Sequence, residues 1–428
     1  MASENQPILD VAVVGGGSAG ISSCIELSKK ASGLRIALFE SEEELGGIPR
    51  SCHVFFGLRD LKRLYTGPAY ARKLSRLIRD LPVEVHTKST VLKIVAGRMG
   101  EPHGLDVVSP EGLRNYEARS IILATGCCES PLADRVIPSA RPAGIFTSWQ
   151  LQQMVNIHHL TPGNRAIIVG SEHVALSTAI TLRHAGVSIA GLVEEGVELQ
   201  TYPLLAKTMS GFCGFPIYTG TSVEGISGAE RVEAVQLVSR KGGDVLEIDC
   251  DTLIITGNFR PLSQLIDDTP ILRDTATLGP TVDMNLMTTV PNIYAAGNIL
   301  RGGDMHDLCA LEGRLAARNC LRTIEPPGPD GGTWISICAE PPIRYVAPQR
   351  IVPTKIEYQL LPWFSPWFSV QIEHTVRNGV LEAWSGDRKI WRRRFSRLIG
   401  HHRVPLPVGR FDWNGVDPER GIALRIKG

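Results

Sequence analysis

The feature that most constrains the fold is a glycine-rich turn near the start of the chain, Gly15-Gly-Gly17-Ser-Ala-Gly20. A β-forming run, residues 10–14, leads directly into the turn, and an apolar pattern with helical spacing follows it. In such a unit the first glycine permits the turn and the second lets the backbone approach a pyrophosphate. The third lets the helix pack on the strand. The spacing therefore predicts a dinucleotide-binding Rossmann unit.

A second strand and an acidic residue occur where this unit requires them. Residues 35–40 read as a strand ending in Glu40, about 20 residues past the glycines, where a nucleotide ribose needs an acceptor. Gly46 and Gly47 then suit a backbone that passes close to a bound ligand. Glycine-rich turns also serve as plain connections, but in this chain all the parts occur in register, which favours nucleotide binding.

Length and composition set broad limits. A chain of 428 residues predicts two or three domains, and a net charge of +1 gives no general attraction to nucleic acid or membranes. There is no leader-like N-terminus and no apolar run long enough for a membrane span. Nine cysteines without regular spacing argue against a disulfide framework, and we expect a cytoplasmic protein without a metal site.

Two further strand-like runs end in small turns. Residues 120–126 end in Ala124-Thr-Gly126, and residues 291–298 end in Gly297-Asn298, followed by a helical pattern through Leu308 and Leu315. With these segments the chain resembles, over about residues 8–325, the two-dinucleotide-domain flavoproteins that include thioredoxin reductase and glutathione reductase.

That resemblance implies a non-covalent FAD. The glycine turn and the acid would hold its ADP half, the Ala-Thr-Gly turn would lie against the same nucleotide, and the late glycine would meet the ribityl chain and flavin. Asn298 stands where the family has an aspartate, so it can hydrogen-bond but carries no charge. The cofactor-binding residues implied in this chain are Gly15, Gly17, Ser18, Ala19, Gly20, Glu40, Ser41, Gly46, Gly47, Ala124, Thr125, Gly126, Gly297 and Asn298.

The family inserts a second nucleotide-binding domain into the first, and this sequence supplies a matching strand, helix and strand within residues 165–195. We therefore predict an α/β fold with two Rossmann-like domains, one inserted in the other, and a small β-rich C-terminal domain. The predicted bounds are 1–130 with 258–325 for the FAD domain, 131–257 for the inserted domain, and 331–428 for the last.

The inserted unit departs from the family at one position. Its turn runs from Gly170 to Ala175, and the middle glycine is replaced by Glu172. A carboxylate about 4 Å from a diphosphate costs about 4 kcal/mol at an effective dielectric near 20, or roughly a thousandfold in affinity. We therefore expect no tight NAD(P) binding in the family's usual pose. The alternative is that Glu172 turns to solvent and the cofactor shifts; Glu194, at the end of the next strand, fits either.

The paired thiols of a disulfide reductase are absent, because no Cys-x-x-Cys or similar close pair occurs. Cys127 and Cys128 are adjacent, and a disulfide between neighbours strains the intervening peptide, so packing is favoured. Cys52-His53 lies just past the glycine pair, where the family's chain approaches the flavin. Free cysteine is commonly buried, so a structural role is favoured there too. No catalytic residue can be assigned.

Residues 326–334 form a linker by composition, and short β-like runs follow. The run from Arg388 to Arg403 is strongly basic, with two aromatic residues interleaved. It could contact nucleic acid, anionic lipid or an acidic protein, or be a solvated face; among these functions we prefer a protein partner and expect no nucleic acid. The aromatic stretch 363–368 fits an interface or a core.

A narrower resemblance involves residues 46–50, 66–74 and 170–175. These segments are similar to the FAD-binding subunits of dye-linked dehydrogenases for opines, proline or hydroxyproline, and of hydrogen cyanide synthase. The resemblance implies the flavoprotein subunit of an electron-transferring dehydrogenase that acts on an amine, an amino acid or opine, or a polyol phosphate. The substrate would be oxidised on this FAD or on that of a partner. A second flavoprotein subunit and a small iron–sulfur protein are the implied partners. The alternatives are an NAD(P)H-dependent flavin reductase and a non-catalytic scaffold subunit with a structural FAD.

Overall fold

The computed structural model describes residues 7–98, 100–135, 137–324, 334–352 and 368–428. Contacts within the chain group it into two compact units. The first unit comprises Met1–Gly46, Leu74–Cys127 and Pro261–Gly428, and the second comprises Gly47–Lys73 and Cys128–Arg260.

The helices and strands of the described residues are numbered in chain order. The α-helices are α1 (Ser18–Lys30), α2 (Gly67–Arg79), α3 (Ser148–Asn156), α4 (His173–His184), α5 (Pro203–Cys213) and α6 (His306–Ile324). The strands of the first half are β1 (Leu9–Val14), β2 (Ile36–Phe39), β3 (Phe55–Phe56), β4 (Tyr65–Thr66), β5 (Val83–His86), β6 (Thr90–Val95), β7 (His103–Ser109), β8 (Gly112–Leu123), β9 (Cys127–Glu129), β10 (Ile145–Thr147), β11 (Arg165–Val169), β12 (Ser188–Glu194) and β13 (Ile217–Thr219). The remaining strands are β14 (Thr221–Ser227), β15 (Ala234–Ser239), β16 (Val245–Asp249), β17 (Thr252–Ile255), β18 (Phe259–Pro261), β19 (Ile293–Ala295), β20 (Ile335–Ala339), β21 (Ile343–Ala347), β22 (Arg350–Ile351), β23 (Ser369–Ile372), β24 (Val376–Arg377), β25 (Val380–Ser385), β26 (Arg388–Arg394), β27 (Arg397–Leu398), β28 (Arg403–Pro405) and β29 (Ile422–Lys427).

The first unit is built on a seven-stranded sheet with the order β5-β2-β1-β8-β7-β6 and β19 added beside β8. β1 pairs in parallel with β2 and with β8, and every residue from Val11 to Val13 is fully buried. A continuous apolar strand of this kind is typical of a parallel sheet that is covered on both faces. Helices α1 and α6 pack so closely that a side chain at Gly313 would overlap with the backbone of Ala19.

The second unit contains the predicted second Rossmann-like fold. Its five parallel strands have the order β10-β17-β11-β12-β13, with α4 crossing between β11 and β12. An antiparallel sheet of β14, β15 and β16 adds a second apolar core. Both Rossmann-like folds predicted from the sequence are therefore confirmed.

The C-terminal part of the first unit is rich in β-strands, as predicted. Its sheets have the orders β22-β20-β29-β25-β26 and β21-β23-β28, with a further β24–β27 pair, around a common apolar core. The first part of the basic run, Arg388–Arg394, forms strand β26 at the edge of its sheet, which the charge pattern did not predict. The aromatic stretch 363–368 lies outside the described residues except for Phe368, which is buried. Among the helices that the structure describes, none is long and apolar enough to cross a membrane.

Candidate functional site

The first glycine turn is closed at two positions and open at one. Gly15 has φ +105°, and a side chain there would overlap with the carbonyl group of Ala124, the residue directly after β8. A side chain at Gly20 would overlap with the Gly15 carbonyl oxygen. At Gly17, by contrast, an added Cβ would meet nothing within 4 Å. The turn thus leaves space at the position where the motif brings backbone and pyrophosphate together.

The N-terminus of α1 offers donors to this space. Gly17 is the N-cap residue and provides no side-chain cap. The Ser18 hydroxyl is buried without a hydrogen-bond partner in the described part of the chain, and an unsatisfied buried group costs about 1–3 kcal/mol. Phosphate oxygens at a helix N-terminus would satisfy both the hydroxyl and the free N–H groups. These residues, with Ala19 behind them in α1, fit the pyrophosphate of FAD.

Glu40 lies at the end of β2 and is buried. Its Oε2 accepts a hydrogen bond from the Gly16 backbone N (2.6 Å), so the acid also holds the glycine turn. Its Oε1 accepts from the Ser41 hydroxyl (3.1 Å) and the Glu42 backbone N (2.8 Å). An ionised carboxylate can accept more bonds than these three, so ribose hydroxyls remain suitable donors.

The Ala124-Thr125-Gly126 turn is tied to the segment that begins the last stretch of the first unit. The Thr125 hydroxyl donates to the Leu262 carbonyl (2.6 Å), and the Leu262 backbone N donates to the Gly126 carbonyl (3.0 Å). Thr125 therefore connects the end of β8 to the segment at Leu262, a role that the sequence pattern did not indicate. Gly126 has φ +80° and no heavy atom within 4 Å of an added Cβ, which leaves backbone accessible beside the strand end.

Gly297 and Asn298 start a single turn of 3-10 helix before α6. Gly297 has φ +81°, and its backbone N donates to Glu312 Oε2 (3.1 Å). Asn298 is buried, and its Oδ1 accepts from the Asp304 backbone N (3.0 Å) and from the Cys309 thiol (3.1 Å). Because the carbonyl oxygen is engaged, the side-chain NH₂ group is the part suited to donate to a ribityl hydroxyl.

An ionic network supports this turn, and sequence reasoning missed it. Arg301 pairs with Asp304 (3.0 Å) and with Glu312, while Arg403 pairs with Asp304 (3.0 Å) and lies 3.7 Å from Glu312. Burial alone would raise the pKa of Asp304, but Arg403 and Arg301 hold it below its usual range. Removing one partner of a buried ion pair typically costs about 3–5 kcal/mol. Arg403, from the basic run, thereby joins the C-terminal strands to the turn that carries Asn298.

In the second unit, Glu172 occupies the position that Gly17 leaves open in the first. It is the N-cap residue of α4, and its Oε2 accepts from the Thr256 hydroxyl (2.8 Å). Side chains added at Gly170 or Gly257 would collide with this carboxylate. Glu172 is therefore half-buried and folded over the ends of β11 and β17, and does not extend into solvent.

Two carboxylates of the same unit are buried. Glu194 is buried, and accepts from the Ser171 hydroxyl and from the Gly196 backbone N (2.7 Å). Glu129 accepts from the Ser148 hydroxyl (2.5 Å), from the Trp149 backbone N (2.8 Å) and from the Gly257 backbone N (3.2 Å). Burial, with a smaller contribution from the charge of Glu172, raises the pKa of Glu129 to about 7. Glu129 is the last residue of the short strand β9, and nothing in the sequence marks it as a buried acid.

The cysteines of the described chain are all free thiols. Burial raises the pKa of Cys52 to about 11, so it is a neutral thiol at pH 7. The neighbouring His53 is held within the second unit, because its backbone N donates to the Ser177 hydroxyl (2.9 Å) and its ring packs against His184 (4.7 Å between centroids). Among the described residues no group of three or more His, Cys, Asp or Glu is arranged to hold a metal ion.

Comparison with known proteins defines the class of this chain. Residues 9–313 match the profile of the pyridine nucleotide-disulphide oxidoreductase family. The chain belongs to that family, and is an FAD-dependent oxidoreductase.

Three individual proteins illustrate the similarity. The chain is 27% identical, over 345 residues, to hydrogen cyanide synthase subunit HcnB of Pseudomonas aeruginosa, covering 74% of this chain and 72% of that protein. Among solved structures, thioredoxin reductase of Lactococcus lactis matches 74% of this chain and 99% of its own with a TM-score of 0.63 at 19% identity. L-proline dehydrogenase of P. horikoshii matches 74% of this chain and 56% of its own with a TM-score of 0.57 at 21% identity. These two structural likenesses show a shared fold.

We predict that replacing Gly17 by Val abolishes FAD binding while the fold is kept. The structure has space for the new side chain, which would then fill the place of the pyrophosphate. Bound flavin absorbance per chain is the measurement, with circular dichroism to check folding. Gly211 in α5 also has no heavy atom within 4 Å of an added Cβ, so Gly211→Val is the matched control. Full flavin content in Gly17→Val would show that this turn does not hold the cofactor.

We also predict that the folded chain loses stability as pH rises, because of the buried carboxyl group of Glu129. Its raised pKa favours the protonated form in the folded chain, so this stability is complete below the ordinary pKa near 4.5 and is lost as pH rises through about 7. The shift corresponds to roughly 3 kcal/mol. Urea unfolding of the wild type and of Glu129→Gln between pH 4.5 and 8.5 measures it. As pH rises, the unfolding free energy of the wild type should fall relative to that of Glu129→Gln. Unfolding free energies that change with pH in the same way in both proteins would contradict the assignment.

Proposed function

We propose that this chain is the flavoprotein subunit of an electron-transferring, dye-linked dehydrogenase, with FAD held non-covalently. The observation that carries the proposal is the contrast between the two glycine turns. Gly17 leaves space at the N-terminus of α1, whereas Glu172 fills the same position at the N-terminus of α4. One turn accepts a pyrophosphate and the other already has an anion of its own.

The FAD would be bound by the residues around the first turn. The N-terminus of α1 and Ser18 face the pyrophosphate, Glu40 and Ser41 the ribose, and Gly297 with Asn298 the ribityl chain. Gly46 and Gly47, with φ of +121° and +59°, form the backbone turn that follows the acid. When bound, FAD supplies an acceptor for two electrons from a C–H bond of the substrate.

NAD(P)H is not the electron donor in this proposal. A dinucleotide at the second turn would place its diphosphate against Glu172, since the carboxylate lies between Gly170 and Gly257. The positive end of α4 stabilises an anion by about 0.3–1 kcal/mol, and Glu172 already uses that position. Binding would therefore require the carboxylate to leave both the helix terminus and its bond to Thr256.

A thiol relay does not fit the chain either. Cys127 and Cys128 are adjacent in the chain and are both free thiols. Burial raises the pKa of Cys128, which disfavours the thiolate that would have to attack, so the two cysteines do not make a suitable redox pair. The nine free thiols fit the cytoplasm, the compartment that we propose. A flavin without nicotinamide donor or dithiol must exchange electrons with a substrate or with another protein.

The names of the relatives support the class of substrate. L-proline dehydrogenase and sarcosine oxidase, whose subunit alpha is 24% identical over 27% of its own length, are both named for amines with a C–H bond beside nitrogen. We propose an amine, an amino acid or an opine as the substrate, with a polyol phosphate as the other class that the flavin site would serve.

Other subunits complete the proposed assembly. Two of the relatives, HcnB and sarcosine oxidase subunit alpha, are named as subunits. Residues 331–428 contain one cysteine, Cys338, whereas a cluster usually needs four thiolates. We therefore propose a second flavoprotein subunit and a small iron–sulfur protein as partners, with any cluster held by the latter.

We predict that the assembly from the native source oxidises a substrate of this class with an artificial dye as acceptor. Opines, proline, hydroxyproline, glycine and glycerol 3-phosphate are the compounds to assay, each with the Gly17→Val assembly as the control that lacks the FAD of this chain. Dye reduction that depends on both substrate and flavin supports the proposal. Rapid turnover with NADPH and with no other donor would establish the reductase instead, and an FAD that no donor reduces would indicate a structural cofactor.

We further predict that Glu172→Gly binds NADH more tightly than the wild type. The gain can reach about a thousandfold, because both charge and bulk leave the diphosphate position. Equilibrium titration of the holoprotein with NADH measures the affinity. Glu195→Gly, which removes an exposed acid paired with Arg240, is the control and should change little. Equal affinities in wild type and Glu172→Gly would mean that this carboxylate is not the obstacle.

A further inference from the structure

The segment Gly47–Lys73 of the second unit is far more basic than the chain as a whole. The chain carries a net charge of +1 over 428 residues, but this segment, with six basic residues and one acid, carries a formal charge of +5. Its single acid, Asp60, is buried. The basic residues are Arg50, Arg59, Lys62, Arg63, Arg72 and Lys73.

The middle of this segment forms a short hairpin loop, Phe55–Thr66, closed by the pairing of β3 with β4. The loop turns at Gly57, which has φ +100°; a side chain there would lie 2.6 Å from the Arg63 carbonyl oxygen. Beneath it, the buried Tyr70 hydroxyl donates to Asp60 Oδ2 (2.8 Å). These contacts hold the loop in one conformation, so its outward side chains are presented in fixed positions.

Large apolar side chains point outward from this loop. Phe55, Leu58 and Leu64 are 55%, 61% and 56% exposed. Lys62 and Arg63, between the last two, are exposed as well. Exposed Leu and Phe residues scattered singly need no explanation, but three on one rigid loop beside basic side chains are typical of an interaction site.

We propose that the loop Phe55–Thr66 docks a different subunit, through a surface of that subunit that is apolar at its centre and acidic around it. The apolar side chains would supply the buried centre of the contact, and the basic ones would pair with acids at its rim. The partner is a subunit of the proposed dehydrogenase assembly, so the inference rests on the proposed function.

This location differs from the basic run Arg388–Arg403. In that run Arg388 pairs with Asp412 (2.7 Å), Lys389 with Glu382 (2.8 Å) and Arg403 with Asp304 (3.0 Å), so several of its charges act within the chain. Strand β26 also lacks large exposed apolar residues beside its arginines in the described structure. Charged edge strands of this type commonly prevent pairing with other chains.

A rigid loop favours a protein over a lipid surface. Presenting fixed side chains reduces the ordering cost of a specific contact, and a bilayer does not need that precision. A membrane remains the competing class of partner, because basic and apolar side chains together also bind anionic lipid. A second copy of this chain is the other competing partner.

The experiment is site-specific photo-cross-linking in the native assembly. Leu58 is replaced by a benzophenone-bearing phenylalanine analogue, and Leu113, which is 63% exposed on β8 in the first unit, is replaced in the control. In the expected product, position 58 is cross-linked to a peptide from a different subunit, and that peptide has more acidic than basic residues. The position 113 control should not give this product.

Charge variants test the electrostatic part. Lys62→Asn with Arg63→Glu should lower the cross-link yield at least tenfold at low salt, and about 0.5 M salt should do the same to the wild-type loop, since exposed charges are screened. Arg392→Glu with Arg394→Glu on β26 is the matched control and should leave the yield unchanged. Flavin content and thermal unfolding verify that each variant is folded. If the loop variant does not fold, the salt titration of the wild-type assembly tests the electrostatic contact in its place.

Each other outcome overturns the inference. These outcomes are cross-links to lipid, to a second copy of this chain or to a basic peptide, no cross-link at all, and a yield that neither salt nor the loop variant changes. The result is separable from the proposed function, because the cross-link is read without turnover. An assembly that oxidises no substrate can still give the expected product, and an active one can fail to give it.

Discussion

In the proposed function, the anion at the N-terminus of one helix in each unit decides what that unit binds. At the first turn the helix has no side-chain cap, a serine hydroxyl without a partner among the described residues and open space at Gly17, and we propose that a ligand supplies the anion there. At the second turn the chain supplies the anion itself, through Glu172 at the N-cap of α4. The same fold is thus present twice, and we propose that the two copies have opposite requirements for a phosphate group.

The first turn depends on residues that are distant in the sequence. Glu40 holds the Gly16 backbone, and Ala124 lies against Gly15. Farther along the chain, Asp304 orients Asn298, and Arg403 from the C-terminal strands holds Asp304 in place. The C-terminal strands therefore stabilise the turn that would face the ribityl chain, and their basic residues have a structural role as well as surface exposure.

Sequence reasoning predicted the parts of this protein that depend on local pattern. Alternation of apolar runs with glycine turns predicted β1, α1, β2, β11, α4 and β12, because a buried parallel strand and its crossover helix leave strong periodic signals. The replacement at Glu172 was visible for the same reason, since its place in the turn is defined by spacing. Its hydrogen bond to Thr256 was not, because the two residues are 84 positions apart.

The remainder of the site was not visible because it arises from tertiary contacts. Nothing local marks Glu129, whose pKa is raised by burial among helix and strand ends. The pairing of Thr125 with Leu262 and that of Arg403 with Asp304 likewise join segments separated by other elements. The basic run was visible as charge, but which of its residues pair within the chain depended on the fold.

The central claim is that this flavoprotein takes its electrons from a substrate and not from a nicotinamide. Anaerobic stopped-flow mixing of the wild-type holoprotein with excess NADH, and separately with NADPH, tests it most directly. We expect the flavin absorption band to stay oxidised, or to bleach only over minutes, at nucleotide concentrations that saturate ordinary reductases. Bleaching within milliseconds by either nucleotide would contradict the claim, because the closed second turn could not then be an obstacle to binding.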